Sequence, residues 1–596
     1  MRFCRVAIDS PVQALDRPFD YAIPERLQGK VEVGSVVRVV LHGRGMRAFV
    51  TDLLEAPAVA KANPLRSLVS PQPLFGADEV ELARWIARRY VVPLGLVFHD
   101  AVPGRFSSRD TEDLGEGGEG HSRTEAIRPK WLTTQIQSVG ETCIFPPSLR
   151  DEPELIAYLA SQTAKTGRQT LVVCPRVEIA TSIAAEIARA VLLHGAERPA
   201  DRAAGWAAVQ SGRADVAVVG RAGLLVPVPR LGLVVVASAH DRSLKSERAP
   251  RLHALVVAQQ RARRANVPFV ASSPAPPIEL AAASATRWIG GGRSTVRPET
   301  ARPRGGPLTP RLIEVVRWAI AKGSDALVFT GRRGDTLRLR CADCGWSPAC
   351  VTCRRGLVPD NVGATSRLRC RVCGSDAPVP ETCGSCSGVL SGRGWGHERV
   401  ARELERAGIE APVVRVVRGE VPEDRPHPAV VIGTLAAAHA TRDAGCVCVA
   451  DLDQLLGRPE FRASEYALQV LHELAGVLAP GGRFLVQTRE PEHHAVQAFM
   501  RNSYRYFFDR EIPFRKETGY PPFGGVVRVE IDPASIDDLR MTVRSGGAEL
   551  IGALPRGRKL NALVRGPDVE KLLDPMKTFA GAHSGARVDV DPIDIL

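Results

Sequence analysis

Eight of the thirteen cysteines fall between residues 341 and 386, as four Cys-x-x-Cys pairs: Cys341/Cys344, Cys350/Cys353, Cys370/Cys373 and Cys383/Cys386. Two thiolates three residues apart on a tight turn can grip one tetrahedral ion at about 2.3 Å per Zn–S bond. Four pairs make two complete four-sulfur sites with no ligand left over. No position stays open for water, so two structural zinc ions are expected rather than a catalytic one. Metal geometry demands even spacing in pairs, and disulfide closure does not. The other five, Cys4, Cys143, Cys174, Cys446 and Cys448, read as small buried apolar residues. Thiolate–zinc sites and free thiols imply a reducing compartment, hence a cytoplasmic protein.

The elements that must carry these groups follow from pattern. A chain of 596 residues holds roughly three to five domains. Its 44% hydrophobic content is enough for large cores. Formal net charge is +13, with Lys and Arg spread along the chain, which fits a polyanion partner and fits equally an Arg-rich proteome. No apolar run approaches bilayer length, and MRFCRVAIDSPVQ reads as a strand, not a secretory signal.

Residues 2–9 and 31–52 read as strands, with His42, Gly43, Arg44 and Gly45 as a turn. DEVELARWIARRY at 78–90 has helical periodicity. The GEGGEG stretch within 105–130 reads as a linker. From 131 to 293, the runs TLVVCP, ADVAVVG, LGLVVVAS and VPFVASS alternate with helical patterns, the signature of a buried parallel sheet. Residues 294–308 are rich in Pro, Arg and Gly and read as a connection between two lobes. A second alternating block covers 294–340 and 387–498, interrupted by the cysteines at 341–386, and an α+β segment covers 499–596. The expected fold class is multidomain α/β: a β-rich N-terminal domain over 1–104, two α/β lobes, a zinc insertion in the second, and a C-terminal domain.

This skeleton resembles the PriA family of bacterial primosomal helicases over nearly the whole chain. LDRPFDYAIPE at 15–25 and ARWIARRYVVPLG are similar to the family's N-terminal DNA-binding segment. RLRCADCGWSPACVTC, LRCRVCG and PETCGSC are similar to its zinc region, and GHERVARELE, ETGYPPFG and VDVDP to later motifs. The resemblance implies RecA-like lobes, ATP and Mg²⁺ as cofactors, and 3′–5′ helicase activity. It also implies a nested pairing of zinc ligands: Cys341/Cys344 with Cys383/Cys386, and Cys350/Cys353 with Cys370/Cys373. The family's winged-helix domain has no counterpart in the 105–130 interval.

The departures concern the motor. A phosphate-binding loop needs Gly-x-x-x-x-Gly-Lys-Thr/Ser, whose amides cradle phosphates and whose Lys reaches the β and γ phosphates. Just before ELIAYLA this chain has Ile144-Phe145-Pro146-Pro147-Ser148-Leu149-Arg150. Two prolines there remove backbone donors. The family's Asp-Glu-Glu-His is replaced by Ala237-Ser238-Ala239-His240. Its Gly-Arg-Ala-Gly-Arg stretch is replaced by residues 474–483, LAGVLAPGGR, and its Lys-Gly-His by Gly433-Thr434-Leu435-Ala436-Ala437-Ala438-His439. Phosphoryl transfer rests on electrostatic positioning, so losing these charges together removes it. No catalytic or nucleotide-binding residue is therefore assigned, and the missing charges speak against ATP and Mg²⁺ as cofactors.

In the family, the N-terminal domain captures a 3′ DNA end. The matching positions here are Phe19, Asp20, Gly43 and Arg66. An aromatic can stack on a terminal base, a carboxylate can accept the 3′-hydroxyl proton, and a cation can meet phosphate. Phe19 and Tyr21 also read as plain sheet core. Arg332, Arg333 and the RARR run at 261–264 read either as phosphate contacts or as solvated faces.

The expected function is a replication restart protein that recognises branched forks and single-stranded DNA without ATP-driven unwinding. Expected partners are primosome or helicase-loading proteins, with single-stranded-DNA-binding protein as a further candidate. Expected location is the nucleoid-associated cytoplasm. An active ATP-dependent 3′–5′ helicase is the alternative. A more distant one is an S-adenosylmethionine-dependent methyltransferase, with Gly392-Arg393-Gly394-Trp395-Gly396 as cofactor loop and Pro480-Gly481-Gly482 as a second turn.

Overall fold

The computed structural model describes residues 2–70, 72–102, 128–132, 140–195, 197–283, 285–290, 296–303, 307–331, 338–341, 344, 346–351, 357–360, 367–370, 375–393, 396–416, 425–458, 460–556 and 558–593. Most of the expected 105–130 linker, Arg332, Arg333, Cys353 and Cys373 lie outside the described residues.

The N-terminal strands are β1 (Phe3–Ile8), β2 (Phe19–Ala22), β3 (Val36–Leu41), β4 (Arg44–Leu54) and β5 (Ser67–Leu68). They pair antiparallel in the order β2-β1-β4-β3-β5. Period-two alternation sets the faces: Val37 and Val39 are buried, Arg38 and Val40 exposed. The sheet closes on itself where Ala22 bridges Pro64 and the Leu65 N–H donates to the Ala22 carbonyl at 3.0 Å. The turn is shorter than its composition suggested. Only His42 and Gly43 form it, at φ 48° and 77°, with Leu41 opposite Arg44. Two consecutive positive φ values match the twist of a tight hairpin, which is why Gly stands there.

The helix Ala77–Tyr90 buries Val80, Ala83, Ile86 and Tyr90. At its start the Glu79 carboxylate accepts from the Gly76 N–H at 3.0 Å. It ties the barrel to the first lobe: the His253 N–H donates to the Tyr90 hydroxyl at 3.0 Å, and the Trp206 indole donates to the Leu74 carbonyl at 3.2 Å. Barrel, first lobe and C-terminal domain share one hydrophobic core.

The first lobe contains β6 (Glu141–Phe145), β7 (Gln169–Val173), β8 (Ala190–Leu193), β9 (Val216–Val219), β10 (Leu231–Val236), β11 (Phe269–Ser272) and β12 (Thr286–Gly290). All are parallel, in the order β12-β6-β11-β10-β7-β9-β8. The expected connection at 294–308 is partly strand. There β13 (Pro298–Ala301) joins the second lobe as its edge, where a proline lacking an N–H is tolerated.

The second lobe continues with β14 (Ala326–Phe329), then leaves its sheet for a cysteine-rich excursion. That excursion holds β15 (Arg338–Cys341), β16 (Val358–Asp360), β17 (Arg367–Arg369), β18 (Asp376–Pro378) and β19 (Leu390–Arg393), as a two-stranded β15-β19 and a three-stranded β16-β17-β18 sheet. The lobe resumes with β20 (Val413–Val416), β21 (Val430–Gly433), β22 (Ala444–Val449) and β23 (Leu478–Gln487), giving the parallel order β13-β23-β22-β14-β21-β20. Cys446 and Cys448 are buried in β22. The C-terminal domain is an antiparallel sheet of β24 (Gly525–Ile531), β25 (Glu549–Arg556), β26 (Lys559–Gly566) and β27 (Arg587–Val590), ordered β25-β26-β24-β27. Among the described residues no helix is long and apolar enough to cross a membrane.

Candidate nucleic-acid interface and metal centre

The antiparallel pair β15-β19 brings the first and last cysteine pairs together. The sulfurs of Cys341, Cys344, Cys383 and Cys386 all lie within 4.8 Å of one another. Cys341 and Cys386 sulfurs are 3.5 Å apart, as are those of Cys344 and Cys383. Local turns aim them: the Cys341 N–H donates to the Trp346 carbonyl at 2.7 Å, and the Cys383 N–H to the Gly388 carbonyl at 2.9 Å. Burial raises the Cys383 pKa, but N–H donors from Cys386 and Ser385 outweigh it and bring the thiol down to about 7. Four sulfurs converging at this spacing fit a tetrahedral zinc ion. In the other group, Cys350 and Cys370 are buried beside Leu357 and Leu368. Their expected co-ligands Cys353 and Cys373 lie outside the described residues.

The four expected DNA-contacting residues sit on the barrel. Phe19 is half-buried at the start of β2, with the Arg17 guanidinium 5.1 Å from its ring centre. Asp20, adjacent on the strand, is held from behind. Its carboxylate accepts from Arg5 Nε at 2.9 Å, Arg5 Nη2 at 3.2 Å and the Ala58 N–H at 2.8 Å. The Arg5 hydrogen bonds keep its pKa below the ordinary carboxylate value, against the opposing effect of burial. Three of about four acceptor positions are thus taken. Gly43 stands exposed in the β3–β4 turn. Arg66 is exposed, anchored through its N–H to the Arg38 carbonyl at 2.9 Å. Its guanidinium would lie 3.5 Å from a Cβ placed on Gly45, so Arg66 reaches across the base of that turn.

The loop that follows β6 holds the positions that the family resemblance aligns with a phosphate-binding loop. A helix start binds phosphate through free N–H groups. Here they are already engaged: Ser148 accepts from the Arg150 N–H at 3.3 Å, and Asp151 accepts from the Ser148 N–H at 2.9 Å. The helix Glu152–Ala164 then begins with an acid. Glu152 is 2% exposed and accepts from the Ser238 N–H at 3.0 Å and the Ser238 hydroxyl at 2.6 Å. Burial pushes its pKa up to about 7. His240, two residues after Ser238, is buried against Ser273 at 2.9 Å, and burial holds its pKa below the ordinary value.

The two lobes meet directly at this place. Arg150 pairs with Asp443 at 2.6 Å and donates to the Gly476 carbonyl at 2.8 Å. Arg176 bridges Asp241 of its own lobe at 3.0 Å and Glu473 of the other at 3.3 Å. Glu473 is also 3.3 Å from His439. Burial raises the Glu473 pKa, but the His439 hydrogen bond and the charges of His439, His240 and Arg176 outweigh it, bringing it down to about 2. Phe145 and Trp288 of the first lobe pack ring against ring with Tyr504 and Phe508. The space left between Pro147, Ser148, Leu149 and the facing His472 and Phe499 is about 20 Å³. That holds about one water, against at least ~300 Å³ for a small-molecule site.

The cofactor-loop reading of 392–396 does not hold. Leu390–Arg393 pairs with β15 in the cysteine module and not with either lobe's sheet. Pro480-Gly481-Gly482 lies inside β23. Sequence reasoning missed Glu152, Arg176, Asp443 and Glu473. Only Glu152 carried a signal, as an acid at the start of a helix expected to bind phosphate.

A closed β-barrel, two parallel-sheet α/β lobes and a cysteine module inserted in the second define a multidomain α/β protein. Residues 5–103 match the family model described as the 3′ DNA-binding domain of PriA. The chain is 25% identical to the replication restart protein PriA of Treponema pallidum, covering 98% of both chains. It is 28% identical to the probable replication restart protein PriA of Mycobacterium leprae, covering 98% of this chain and 99% of that one. Among solved structures, RecG bound to a three-way DNA junction aligns at 12% identity and a TM-score of 0.37, covering 73% of this chain and 53% of that one. Over nearly its whole length the chain is similar to replication restart proteins named PriA, and its N-terminal residues match that family's 3′ DNA-binding domain.

Proposed function

We propose that this chain recognises forked DNA in replication restart and acts as a platform for primosome or helicase-loading proteins, without ATP-driven unwinding. The barrel supplies the 3′-end contacts through Phe19, Asp20, Gly43 and Arg66, and two structural zinc ions hold the cysteine module. The observation that carries the reading is the seam between the lobes. There Arg150–Asp443 and Arg176–Glu473 pairs join the lobes, and a buried acid, Glu152, stands at the helix start. An ionised or hydrogen-bonded carboxyl there opposes phosphate instead of neutralising it.

Two titrations on one preparation test this. Forked DNA is expected to bind, with affinity falling steeply as salt rises. A fluorescent ATP analogue with Mg²⁺ is expected to give no saturable signal, with or without the fork. Saturable nucleotide binding that Glu152→Ala alters would contradict the reading.

A further inference from the structure

An acceptor for a DNA end faces a conflict of charge. A 3′-hydroxyl donates best to an ionised carboxylate, yet the strand that carries it is anionic. In the barrel, a cation on the next strand meets that conflict. Arg5 of β1 stands in register between two acids, opposite Asp20 on β2 and opposite Asp52 on β4. The β1–β4 register slips between Arg5 and Val6, and such a bulge re-aims a side chain. Asp52 is already engaged, by Arg84 at 2.5 Å and by the Thr51 hydroxyl at 2.9 Å. The Arg5 guanidinium gives its hydrogen bonds to Asp20, Nε to one carboxylate oxygen and Nη2 to the other. Two parallel donors fix the plane of a carboxylate, which a single contact does not.

The capacity left on Asp20 faces one way. Its third donor, the Ala58 N–H at 2.8 Å, comes from the exposed loop between β4 and β5. That loop marks the side from which a donor reaches Oδ2. The Asp20 side chain is 3% exposed and that of Arg5 33%, so a strand end arriving there meets the guanidinium first. Arg5 Nη1 has no hydrogen-bond partner among the described residues. An unspent cationic donor beside an ionised acceptor matches a hydroxyl next to a phosphate. The last nucleotide of a strand carries both on one sugar.

We propose that Arg5 is the positioning residue of the 3′-end site. It orients the Asp20 carboxylate toward the Ala58 loop, where the terminal 3′-hydroxyl replaces the Ala58 N–H as donor, and it offers Nη1 to the phosphate of the same nucleotide. The proposal rests on the 3′-end reading of the barrel given above. The exchange costs Ala58 little, because its N–H lies on an exposed loop and passes to water.

The test uses forks whose 3′ strand at the branch ends in a hydroxyl or in a 2′,3′-dideoxy sugar, which removes the hydroxyl and leaves the charge unchanged. Fluorescence anisotropy gives the ratio of affinities for the two ends in the unmutated chain, Arg5→Gln and Arg5→Lys. The unmutated chain is expected to favour the hydroxyl by roughly tenfold, as one hydrogen bond to a charged acceptor allows. Arg5→Gln is expected to bring the ratio near one and to weaken binding of both ends. Arg5→Lys keeps the charge and loses the two-pronged contact, so it is expected to restore affinity for both ends without restoring the ratio. It also separates lost positioning from a folding defect in Arg5→Gln. A hydroxyl preference that survives in both variants overturns the role of Arg5 and leaves the 3′-end site standing. A preference lost in Arg5→Gln and kept in Arg5→Lys shows that charge alone suffices, and overturns the orienting role. No preference in the unmutated chain overturns both this proposal and the 3′-end reading beneath it.

Discussion

Replacing Glu473 by glutamine keeps the shape of the lobe seam and removes its central charge. Arg176 and His439 both lie 3.3 Å from that carboxylate. The side chain is 9% exposed, so solvent screening is small. Its pKa moves from an ordinary 4.5 to about 2 in the folded protein. A depressed carboxylate pKa contributes stability that is complete above the unfolded value and is lost as pH falls through the folded one. Linkage puts this at about 3 kcal/mol at pH 7, shrinking to about 1.5 kcal/mol at pH 3. Urea denaturation followed by tryptophan fluorescence reads it, because Trp288 sits in the seam with Phe145 and Tyr504 about its ring. Glu473→Gln is expected to unfold its lobe transition at distinctly lower urea at pH 7, with the gap to the unmutated chain roughly halved at pH 3. Equal midpoints at pH 7, or a gap that does not narrow on acidification, would refute the reasoning.

Glu152 has the opposite sign. Its pKa is raised to about 7, so stability is lost as pH rises from the unfolded value through neutrality. Glu152→Gln is expected to raise the melting temperature at pH 8 and to change it little at pH 4; a loss at pH 8 would show that the charge itself is needed. Purified chain is expected to carry two zinc ions, and Cys→Ser at any ligand to unfold the insertion, because structural zinc supplies local folding energy. A metal-to-protein ratio near one or zero, measured by elemental analysis, contradicts that. Forks with a free 3′-hydroxyl at the branch are expected to bind better than forks ending in 3′-phosphate, and Asp20→Ala to erase that preference more than it lowers affinity. Equal binding of the two ends by the unmutated chain would remove the 3′-end pocket.

Much of the architecture was legible because buried parallel strands leave continuous apolar runs. LVV in β7, VVV in β10 and VCV in β22 could be read directly. Strands β6 and β12 mix polar and apolar residues and were not, β8 is only the four residues AVLL, and β13 was hidden because its proline and charged neighbours resemble a connection. The cysteine spacing conveyed the ligand pairs, since ligand type and interval are local properties, while the joining of the first pair with the last came from the family resemblance. The lobe seam was not legible. Arg150 and Asp443 are 293 residues apart, and Arg176 and Glu473 are 297 apart. Nothing in either local segment marks its partner. Asp20 shows the same limit from the other side: sequence suggested a free acceptor, while Arg5 and Ala58 already use most of its capacity.

The central claim is that a helicase scaffold here binds forks without a motor. ATP hydrolysis and strand separation, measured together on forked DNA with saturating ATP and Mg²⁺, test it most directly. The expected result is fork binding with no DNA-stimulated phosphate release and no displaced strand. DNA-stimulated turnover abolished by Glu152→Ala or His240→Ala would place a working nucleotide site at the lobe seam and contradict the claim.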